Sequence, residues 1–402
     1  MKSFKFFALV FYVASIVLPA CIAGAARTQA GSEAATGFDD LTNGLVDQAT
    51  FDSDRARFSL RNEIRHGLGP GFNATACVEC HQNPQVGGGS QVTVLRAGRV
   101  DRNGSFIEPP GGTLIHDRAI HPAVQERVPG GFDIRALRIS LSLLGTGYVE
   151  AIDDNTLIAI ANSQPAAMRG EVVFVPVLES PGTMRVGRFG WKNQHASLLS
   201  FSADAYLIEM GITNRLLPSE QTSLGRSVAE YDNVADPEDS DNDIDAFARF
   251  MRATKAPPQD EALAATDEAR AGSQLFDKIG CGVCHVRSIE TAAEGSLING
   301  GAFAVPPALA GKTIHPFSDF LLHNVGTGDG IYQAGNLSTR NKLRTPPLWG
   351  LRTRGRLMHD GATLSVNEAI LRHGGEASGV IEKYRAMSRK KRDSLIAFLN
   401  SL

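Results

Sequence analysis

The sequence has no excess of positive charge. Its 402 residues contain 40 Lys and Arg against 43 Asp and Glu, and the formal net charge is −3. Proteins that bind nucleic acid carry a basic surface for phosphate contacts, as do proteins attracted to anionic lipid. Short repeats and low-complexity tracts are also lacking. We therefore expect no nucleic-acid partner, and a chain of this length should form two or three domains.

Cysteine is scarce as well, and its placement is informative. Four of the five Cys lie in two copies of the pattern C-x-x-C-H, namely Cys77-Val-Glu-Cys80-His81 and Cys281-Gly-Val-Cys284-His285. This pattern is the attachment signature of c-type haem. Thiols at i and i+3 face the same way on a helical turn and reach the two vinyl groups of one porphyrin, with the His beneath the iron. The sequence predicts two covalently bound haem c groups, with His81 and His285 as iron ligands.

Two other uses of C-x-x-C are less compatible with this sequence. A zinc ribbon pairs two such motifs about 15–20 residues apart, whereas these stand 204 residues apart and each has its own His. A thioredoxin-like redox pair follows a strand in a βαβ unit, whereas the residues before Cys281 have a helical pattern. Covalent haem attachment is the better interpretation.

The first 26 residues resemble an export signal. Lys2 and Lys5 precede an apolar run from Phe6 to Leu18, and small residues at 23–25 offer a cleavage site. An uncleaved membrane anchor is the alternative, since no charge follows Lys5 before Arg27; Cys21 also gives a poor match to a lipoprotein site. Cleavage would remove Cys21 and leave four Cys, all within the haem motifs. The absence of a spare thiol after cleavage suits an oxidising compartment, where spare thiols are unfavourable. We therefore predict a periplasmic protein with a signal peptide at residues 1–26.

Periodicity predicts mostly helical structure. Helical patterns cover residues 51–66, 197–210, a stretch after 240, 267–279 and 388–402, whereas 91–95 and 171–178 are rich in β-forming residues. Ser240 and Asp243 predict an N-terminal capping pair for the third of these helices. Gly272 and Phe276 on the fourth helix, with an apolar face on the last, are typical of a small cytochrome c domain.

We therefore predict a mainly α fold with two cytochrome c-like haem domains, the first enlarged by a partly β insertion. The N-terminal haem domain is expected at residues 40–253, with the insertion at about 90–190. A linker at 254–264 and a C-terminal cytochrome c-like domain at 265–402 complete the chain.

Several stretches outside the two motifs resemble a known family. They are Phe72-Asn-Ala-Thr-Ala-Cys77, Arg188-Phe-Gly-Trp-Lys192, Glu209-Met-Gly-Ile-Thr213, His315-Pro-Phe-Ser-Asp319, and the segments 343–350, 357–361 and 367–376. Together they resemble the di-haem oxidoreductase family, also labelled thiol oxidoreductases. That family is related to bacterial di-haem cytochrome c peroxidases and to the enzyme that matures methylamine dehydrogenase. The resemblance runs from about residue 40 to the C-terminus.

The resemblance implies a second ligand for the C-terminal haem. In the related peroxidases this ligand lies fourteen residues after the His of an H-D-G segment, and the same count from His359 reaches His373. Two imidazole ligands would close the iron to small molecules and lower its potential relative to His/Met ligation. The alternative is a surface His near a helix end. We interpret His359 as structural and Met358 as a core residue.

The resemblance also implies an acid–base group at the N-terminal haem. The peroxidases have a Phe-Trp segment followed about twenty residues later by Glu-Met-Gly, whose Glu acts above the iron; here Trp191 precedes Glu209 by eighteen residues. A buried carboxyl with a raised pKa can carry the proton that peroxide cleavage requires. Glu150 is a second acid for the same pocket, and Trp191 is either an electron bridge or a core indole.

Two features of the sequence leave more than one interpretation of the N-terminal haem site. Ten residues before their Glu the peroxidases have a Gln, whereas this chain has Leu199 and its nearest amide is Gln194. Four further histidines are alternative iron ligands, although each is more often a surface residue: His66, His116, His121 and His195.

These features predict a periplasmic di-haem oxidoreductase of peroxidase type. A small redox protein would supply electrons to the C-terminal haem, which relays them to an N-terminal haem that reacts with hydrogen peroxide or another small oxidant. The alternative is an electron-transfer cytochrome with both haems six-coordinate and no catalysis. A third reading is oxidation of a partner protein or thiol compound at the haem. Thiol chemistry by the protein's own Cys is excluded if all four form thioethers.

Overall fold

The computed structural model describes Met1 and residues 31–402, and residues 31–402 form one compact unit. The predicted signal segment, apart from Met1, lies outside the described residues, as does Cys21. In the part of the chain that is described, no helix has the length and apolar character needed to cross a membrane.

Ten α-helices lie within residues 31–402. They are α1 (Gln48–Ser59), α2 (Thr146–Glu150), α3 (Asp154–Ser163), α4 (Leu198–Met210), α5 (Asp243–Ala253), α6 (Glu261–Ala264), α7 (Asp267–Ile279), α8 (Val366–Leu371), α9 (Ser378–Arg385) and α10 (Arg389–Leu399). Single 3-10 turns at Cys77–Glu79 and Cys281–Val283 form the first three residues of the two motifs.

Fifteen short strands accompany them in the same range. They are β1 (Ser32–Glu33), β2 (Gly71–Phe72), β3 (Thr93–Val100), β4 (Phe106–Ile107), β5 (Leu114–Ile115), β6 (Arg118–Ala119), β7 (Ile134–Ile139), β8 (Phe174–Pro176), β9 (Met184–Val186), β10 (Ile289–Glu290), β11 (Leu297–Ile298), β12 (Phe303–Ala304), β13 (Lys312–Ile314), β14 (Leu322–His323) and β15 (Leu343–Arg344). The fold is therefore mixed, and the expectation of a mainly α fold is too simple.

The largest sheet lies inside the predicted insertion. Strand β3 pairs with β4, β5 and β7, and all three pairings are antiparallel. The β3–β7 pairing runs in register from Thr93 opposite Ile139 to Gly98 opposite Ile134. The residues that follow β7 reach the space between the two motifs. Six further strands, β10–β15, lie beyond residue 288, where no strands were expected.

Local sequence signals explain the helix that leads into the second motif. Thr266 caps α7 by accepting from the backbone N–H of Ala269 at 3.2 Å. Gly280 ends the helix in the left-handed region at φ +105°, where a residue without Cβ is favoured. The chain therefore turns at the residue directly before Cys281, and the predicted helix 267–279 is confirmed.

The helix predicted after residue 240 begins differently from the expectation. The first residue of this helix is Asp243, and the backbone N–H of Asp243 donates to Asp239 Oδ1 at 2.7 Å. The predicted capping pair of Ser240 with Asp243 is wrong, because Asp239 supplies the cap from one residue earlier.

Helices α7 and α10 cross closely behind the second motif. A Cβ on Gly272 would lie 1.9 Å from the carbonyl oxygen of Ser394, so only Gly permits this approach. Phe276 and Phe398 pack edge-to-face with ring centroids 5.5 Å apart. The crossing builds the apolar wall against which the Cys281–His285 segment lies.

The largest apolar cluster connects distant parts of the chain. Side chains of α1, α4 and α5 pack with residues from 289 to 320 and with Trp349. A second cluster contains Phe276, Tyr384, Leu395 and Phe398. The domain boundaries proposed from the sequence stay a prediction.

Candidate haem-binding sites

Each C-x-x-C-H segment borders its own large cavity. Cys77, Cys80 and His81 line the N-terminal cavity, whose empty volume out to its open mouth is about 1310 Å³. Cys281, Cys284 and His285 line the C-terminal cavity, with a corresponding volume of about 1580 Å³. The two thiols and the imidazole of each motif thus converge on one space.

Hydrogen bonds fix the orientation of both motif imidazoles. His81 Nδ1 lies 3.1 Å from the carbonyl oxygen of Gly88, and His285 Nδ1 lies 2.9 Å from that of Phe317. A carbonyl only accepts, so Nδ1 carries the proton in each ring and Nε2 keeps its lone pair. Burial lowers the pKa of both rings to about 4. Each imidazole is therefore neutral and prepared to ligate a metal through Nε2.

The motif thiols are poor candidates for thiol redox chemistry. Burial raises the pKa of Cys77 to about 12, that of Cys80 to about 11 and that of Cys281 to about 12. The thiolate is the reactive form of Cys and also the form that binds zinc. A protonated thiol in an apolar cavity agrees better with a thioether to a bound porphyrin.

His373 lies in the same cavity as His285. The end of α8 positions its ring, and His373 Nδ1 is 2.8 Å from the carbonyl oxygen of Ala369. Burial lowers the pKa of His373, which leaves the ring neutral with Nε2 free. The C-terminal cavity thus contains two imidazoles with the hydrogen-bonding pattern of metal ligands, as the resemblance implied for His373.

Replacing His373 by Ala should open the C-terminal iron. If the imidazole is the sixth ligand, its loss creates a second high-spin haem and raises that centre's potential. Optical spectra of the ferric protein and a spectroelectrochemical titration would measure both changes. His121→Ala is the matched control, because His121 is exposed and borders neither cavity. An unchanged spin state and potential in His373→Ala would return His373 to a structural role.

The four other histidines weighed as ligands do not border the N-terminal cavity: His66, His116, His121 and His195. Two of them are engaged elsewhere. His116 Nε2 is 2.8 Å from the carbonyl oxygen of Ile208, and its Nδ1 is 3.2 Å from a carboxylate oxygen of Glu126. His195 Nε2 is 2.9 Å from Asp204 Oδ2. Among the described residues, His81 is the only His that lines this cavity.

Glu209 is a half-buried carboxyl in the wall of the N-terminal cavity. It is the penultimate residue of α4, two residues before the helix-terminating Gly211, and its Oε2 accepts from Asn73 Nδ2 at 2.9 Å. Burial raises the pKa of Glu209 above its usual range. The group can therefore hold or release a proton at a pH where an exposed Glu stays ionised.

Glu150 does not border either cavity. Its carboxylate pairs with Arg252 at 2.6 Å and accepts from the backbone N–H of Leu198 at 2.8 Å and from Asn299 Nδ2 at 3.0 Å. Burial alone would raise the pKa of Glu150, but the Arg252 guanidinium outweighs it and the pKa is lowered. The structure separates Glu150 from Glu209 and gives it a structural ion pair.

Trp191 lies in the wall between the two cavities. Its indole N–H donates to the carbonyl oxygen of Ile139 at 2.8 Å, and its ring meets His359 edge-to-face at 6.1 Å. The other residues that border both cavities are Ile139, Ser140, Leu141, Ser142 and Arg344. One layer of chain, centred on the indole, thus separates the two candidate haem sites.

An amide side chain lines the N-terminal cavity, although not at the chain position where the peroxidases have their Gln. Leu199 does not line the N-terminal cavity, but Gln194 does. Its side-chain oxygen accepts from the backbone N–H of Lys192 at 3.2 Å, in the loop that carries Trp191. An amide therefore reaches the cavity from a different part of the chain.

Orphaned polar atoms test whether the cavities suit haem. Arg138 Nη2, in the N-terminal cavity wall, and Thr327 Oγ1 and His359 Nδ1, in that of the C-terminal cavity, are buried without a hydrogen-bond partner. Such atoms are rare in native proteins unless a ligand or water satisfies them. The carboxylates of a porphyrin are acceptors of suitable charge, so the residues fit the group.

Arginine side chains in the cavity walls are a second indication that the cavities suit haem. Burial lowers the pKa of Arg344 to about 9 and that of Arg354 to about 10, and both line the C-terminal cavity. Burial also lowers the pKa of Arg96, in the N-terminal cavity wall, to about 10. Each cation needs an anion to offset its desolvation. Haem propionates would provide that charge.

Several of these residues carry no signal in the sequence. Arg96 and Arg138 are scattered arginines whose shared location depends on the sheet. Asn73 and Arg344 are different, because they lie in the family-like stretches before Cys77 and at 343–350 and could have been singled out there. His323 was also missed; it lines the C-terminal cavity, and its Nδ1 is 3.7 Å from Cys284 Sγ.

Three of the solved structures that match this chain resemble it only loosely. One is hydrazine synthase of Kuenenia stuttgartiensis, at 13% identity, with 97% of this chain and 100% of that chain covered and a TM-score of 0.43. The second is a MauG-like protein associated with microbial copper homeostasis, at 15% identity, 97% and 95% coverage and a TM-score of 0.41. The third is a variant of the diheme peroxidase BthA from Burkholderia thailandensis, at 16% identity, 88% and 85% coverage and a TM-score of 0.39.

Family comparison is more decisive than these likenesses. A search of curated proteins finds no significant match. The family model described as "Di-haem oxidoreductase, putative peroxidase" matches residues 131–402, a range that contains the second motif, Trp191, Glu209 and His373. The first motif precedes the matched range. Because the match spans more than half of the sequence, the predicted resemblance is confirmed and the chain belongs to the di-haem oxidoreductase family.

Proposed function

We propose that this protein is an exported di-haem c-type oxidoreductase of peroxidase type. Electrons enter at the C-terminal site and pass to the N-terminal site, where hydrogen peroxide or another small oxidant is reduced. Bound haem iron supplies electron transfer and, where a coordination position is open, a place for the oxidant. Both haems are expected to be covalent, through Cys77 and Cys80 and through Cys281 and Cys284.

The observation that carries the proposal is the asymmetry of the two cavities. In the C-terminal cavity two imidazoles, His285 and His373, each have Nδ1 bonded to a backbone carbonyl and Nε2 available for iron, which suits a closed, electron-accepting centre. The N-terminal cavity has one imidazole, His81, together with the half-buried carboxyl of Glu209, whose pKa is raised. Two identical carrier sites would not need this difference.

Trp191 supports a relay between the sites. Its indole borders both cavities and is held in place by the hydrogen bond to Ile139. An aromatic ring fixed between two centres is a direct route for electrons, and its packing excludes water from that route.

Glu209 supports reduction of peroxide. Cleavage of the O–O bond requires a proton to leave the inner oxygen and arrive at the outer one, and a carboxyl with a raised pKa can do both. Asn73 holds this carboxyl through its amide. Two electrons and two protons then convert one hydrogen peroxide into two waters.

An electron carrier is the second candidate, and one observation favours it. Met210 and Met251 also border the N-terminal cavity, and a thioether can serve as the sixth ligand of a haem iron. Such ligation would close the N-terminal site to oxidants.

The optical and EPR spectra of the purified ferric protein test the proposal. We expect one high-spin and one low-spin haem, and cyanide should convert only the high-spin signal. Two low-spin haems with no cyanide reaction would support the carrier and contradict the peroxidase-type proposal.

A further inference from the structure

A dense run of positive charge lies near the C-terminus. Residues 383–392 contain six Lys or Arg and no Asp or Glu, in a chain whose formal net charge is −3. Five of these cations are exposed and the sixth, Arg392, is half-buried. We call this the 383–392 basic patch: Lys383, Arg385, Arg389, Lys390, Lys391 and Arg392.

The basic patch lies on the outer side of the C-terminal cavity wall. Val380 and Ile381 of α9, and Leu395 and Leu399 of α10, line the cavity, whereas the cations occupy the end of α9 and the start of α10. A helix with its side chains is about 10 Å across. The patch is therefore about one helix diameter from the C-terminal cavity.

One contact ties the patch directly to the haem motif. Lys383 Nζ donates to the carbonyl oxygen of Ile279 at 3.4 Å, two residues before Cys281. The neighbouring Lys278 is also exposed. The positive surface thus reaches the helix end at which the second C-x-x-C-H segment begins.

The charges of the patch are largely uncompensated. Within residues 31–402, the one ion pair that involves the patch joins Arg389 and Asp393 at 3.8 Å, and both side chains are exposed. Exposed pairs of this kind contribute little. Neighbouring like charges repel one another, so an approaching anionic surface gains energy from all of them.

We propose that the 383–392 basic patch docks a small acidic redox protein that donates electrons to the C-terminal haem site. The proposal rests on the proposed function, in which electrons enter at this site. Each encounter oxidises the donor by one electron, so two encounters supply the two electrons that one peroxide consumes. Oppositely charged surfaces raise association rates by about 10–10³-fold at low salt.

Stopped-flow reduction of the ferric full-length protein tests the docking, with a reduced, strongly acidic plant-type ferredoxin as the probe. The strongly negative potential of such a ferredoxin makes the transfer favourable even to a bis-imidazole haem. We expect the rate to fall at least about tenfold from low to physiological salt. Lys390→Glu/Lys391→Glu should lower the low-salt rate about tenfold, and Lys390→Gln/Lys391→Gln should have an intermediate effect.

The matched control is Arg102→Glu/Arg127→Glu, which makes the same change in charge at exposed arginines of residues 90–130. It should change the low-salt rate by less than about twofold. A small neutral reductant, such as a deazaflavin radical, should reduce all variants equally.

Three outcomes would overturn the docking. They are a rate that does not depend on salt, equal effects of the patch and control variants, and binding of anionic vesicles through the patch with no effect on the ferredoxin rate. The last would make the patch a membrane-binding surface. The assay contains no peroxide, so its result is independent of whether the N-terminal site reacts with peroxide.

Discussion

Replacing Glu209 by Gln should slow the reaction with hydrogen peroxide by at least about tenfold, because general acid–base help is typically worth about 10²–10⁴-fold. Gln keeps the shape of the side chain and can still hydrogen-bond to Asn73, but it cannot carry a proton. Both haems should remain attached, and reduction by dithionite should be normal. Stopped-flow mixing of the reduced protein with peroxide measures the effect.

The matched control is Asp204→Asn, which alters another carboxylate of the same cavity. Burial alone would raise the pKa of Asp204, but the electrostatic attraction of His195 and the hydrogen bond with it keep the pKa lowered. This carboxylate is already ionised and engaged, so its loss should cost much less than that of Glu209. A larger effect at Asp204 would move the proton carrier to that residue.

The pH dependence of the parent protein gives a second readout. Burial raises the pKa of Glu209, and accepting a proton requires the ionised form. The rate should therefore rise with pH through this raised pKa and fall below it, and Glu209→Gln should lack that limb. If the parent does not react with peroxide at any pH, the carrier interpretation is correct.

The parts of the fold that the sequence predicted best are those with local causes. Helix α7 has its cap at Thr266, its apolar face at Gly272 and Phe276, and its stop at Gly280, all within fifteen residues. The two C-x-x-C-H segments are equally local. In each, five consecutive residues bring the thiols and the imidazole to one cavity.

The roles of Glu209 and Glu150 could not be separated by local sequence. Both are acids in apolar surroundings near glycines; in the fold Glu150 is fully buried, and Glu209 is half-buried in the wall of the N-terminal cavity. The difference comes from Arg252, which is 102 residues from Glu150 in the chain and neutralises it. Within residues 31–402 no ion pair involves Glu209, whose side-chain partner is the neutral amide of Asn73, and burial outweighs the more distant attraction of Arg96.

The strands were the least predictable elements. Ten of the fifteen described strands, such as β10 and β14, contain only two residues and complete no alternating pattern. They form because distant segments meet, as in the parallel pairing of β1 with β13. The mixed fold therefore follows from tertiary contacts rather than from propensity.

Changing Cys77 and Cys80 together to Ala should reduce the covalent haem content from two per chain to one. Each motif borders a separate cavity, and neither pair of thiols can serve the other site. The pyridine haemochrome spectrum of the denatured protein counts covalent haem, because denaturation releases any haem held only by His81. The remaining haem should keep the low-spin spectrum expected of His285 and His373.

Two further variants complete this test. Cys281→Ala/Cys284→Ala should also leave one haem, but with the high-spin spectrum expected of the N-terminal site. Cys21→Ala should leave two, because the predicted cleavage removes Cys21 before it can react. Two haemochromes in either double variant would contradict covalent attachment through these motifs. The Cys77/Cys80 variant also shows which haem site reacts with the oxidant. If the variant loses the high-spin signal together with the reaction with peroxide, the oxidant reacts at the N-terminal site. If the variant keeps both the signal and the reaction, the oxidant reacts at the C-terminal site.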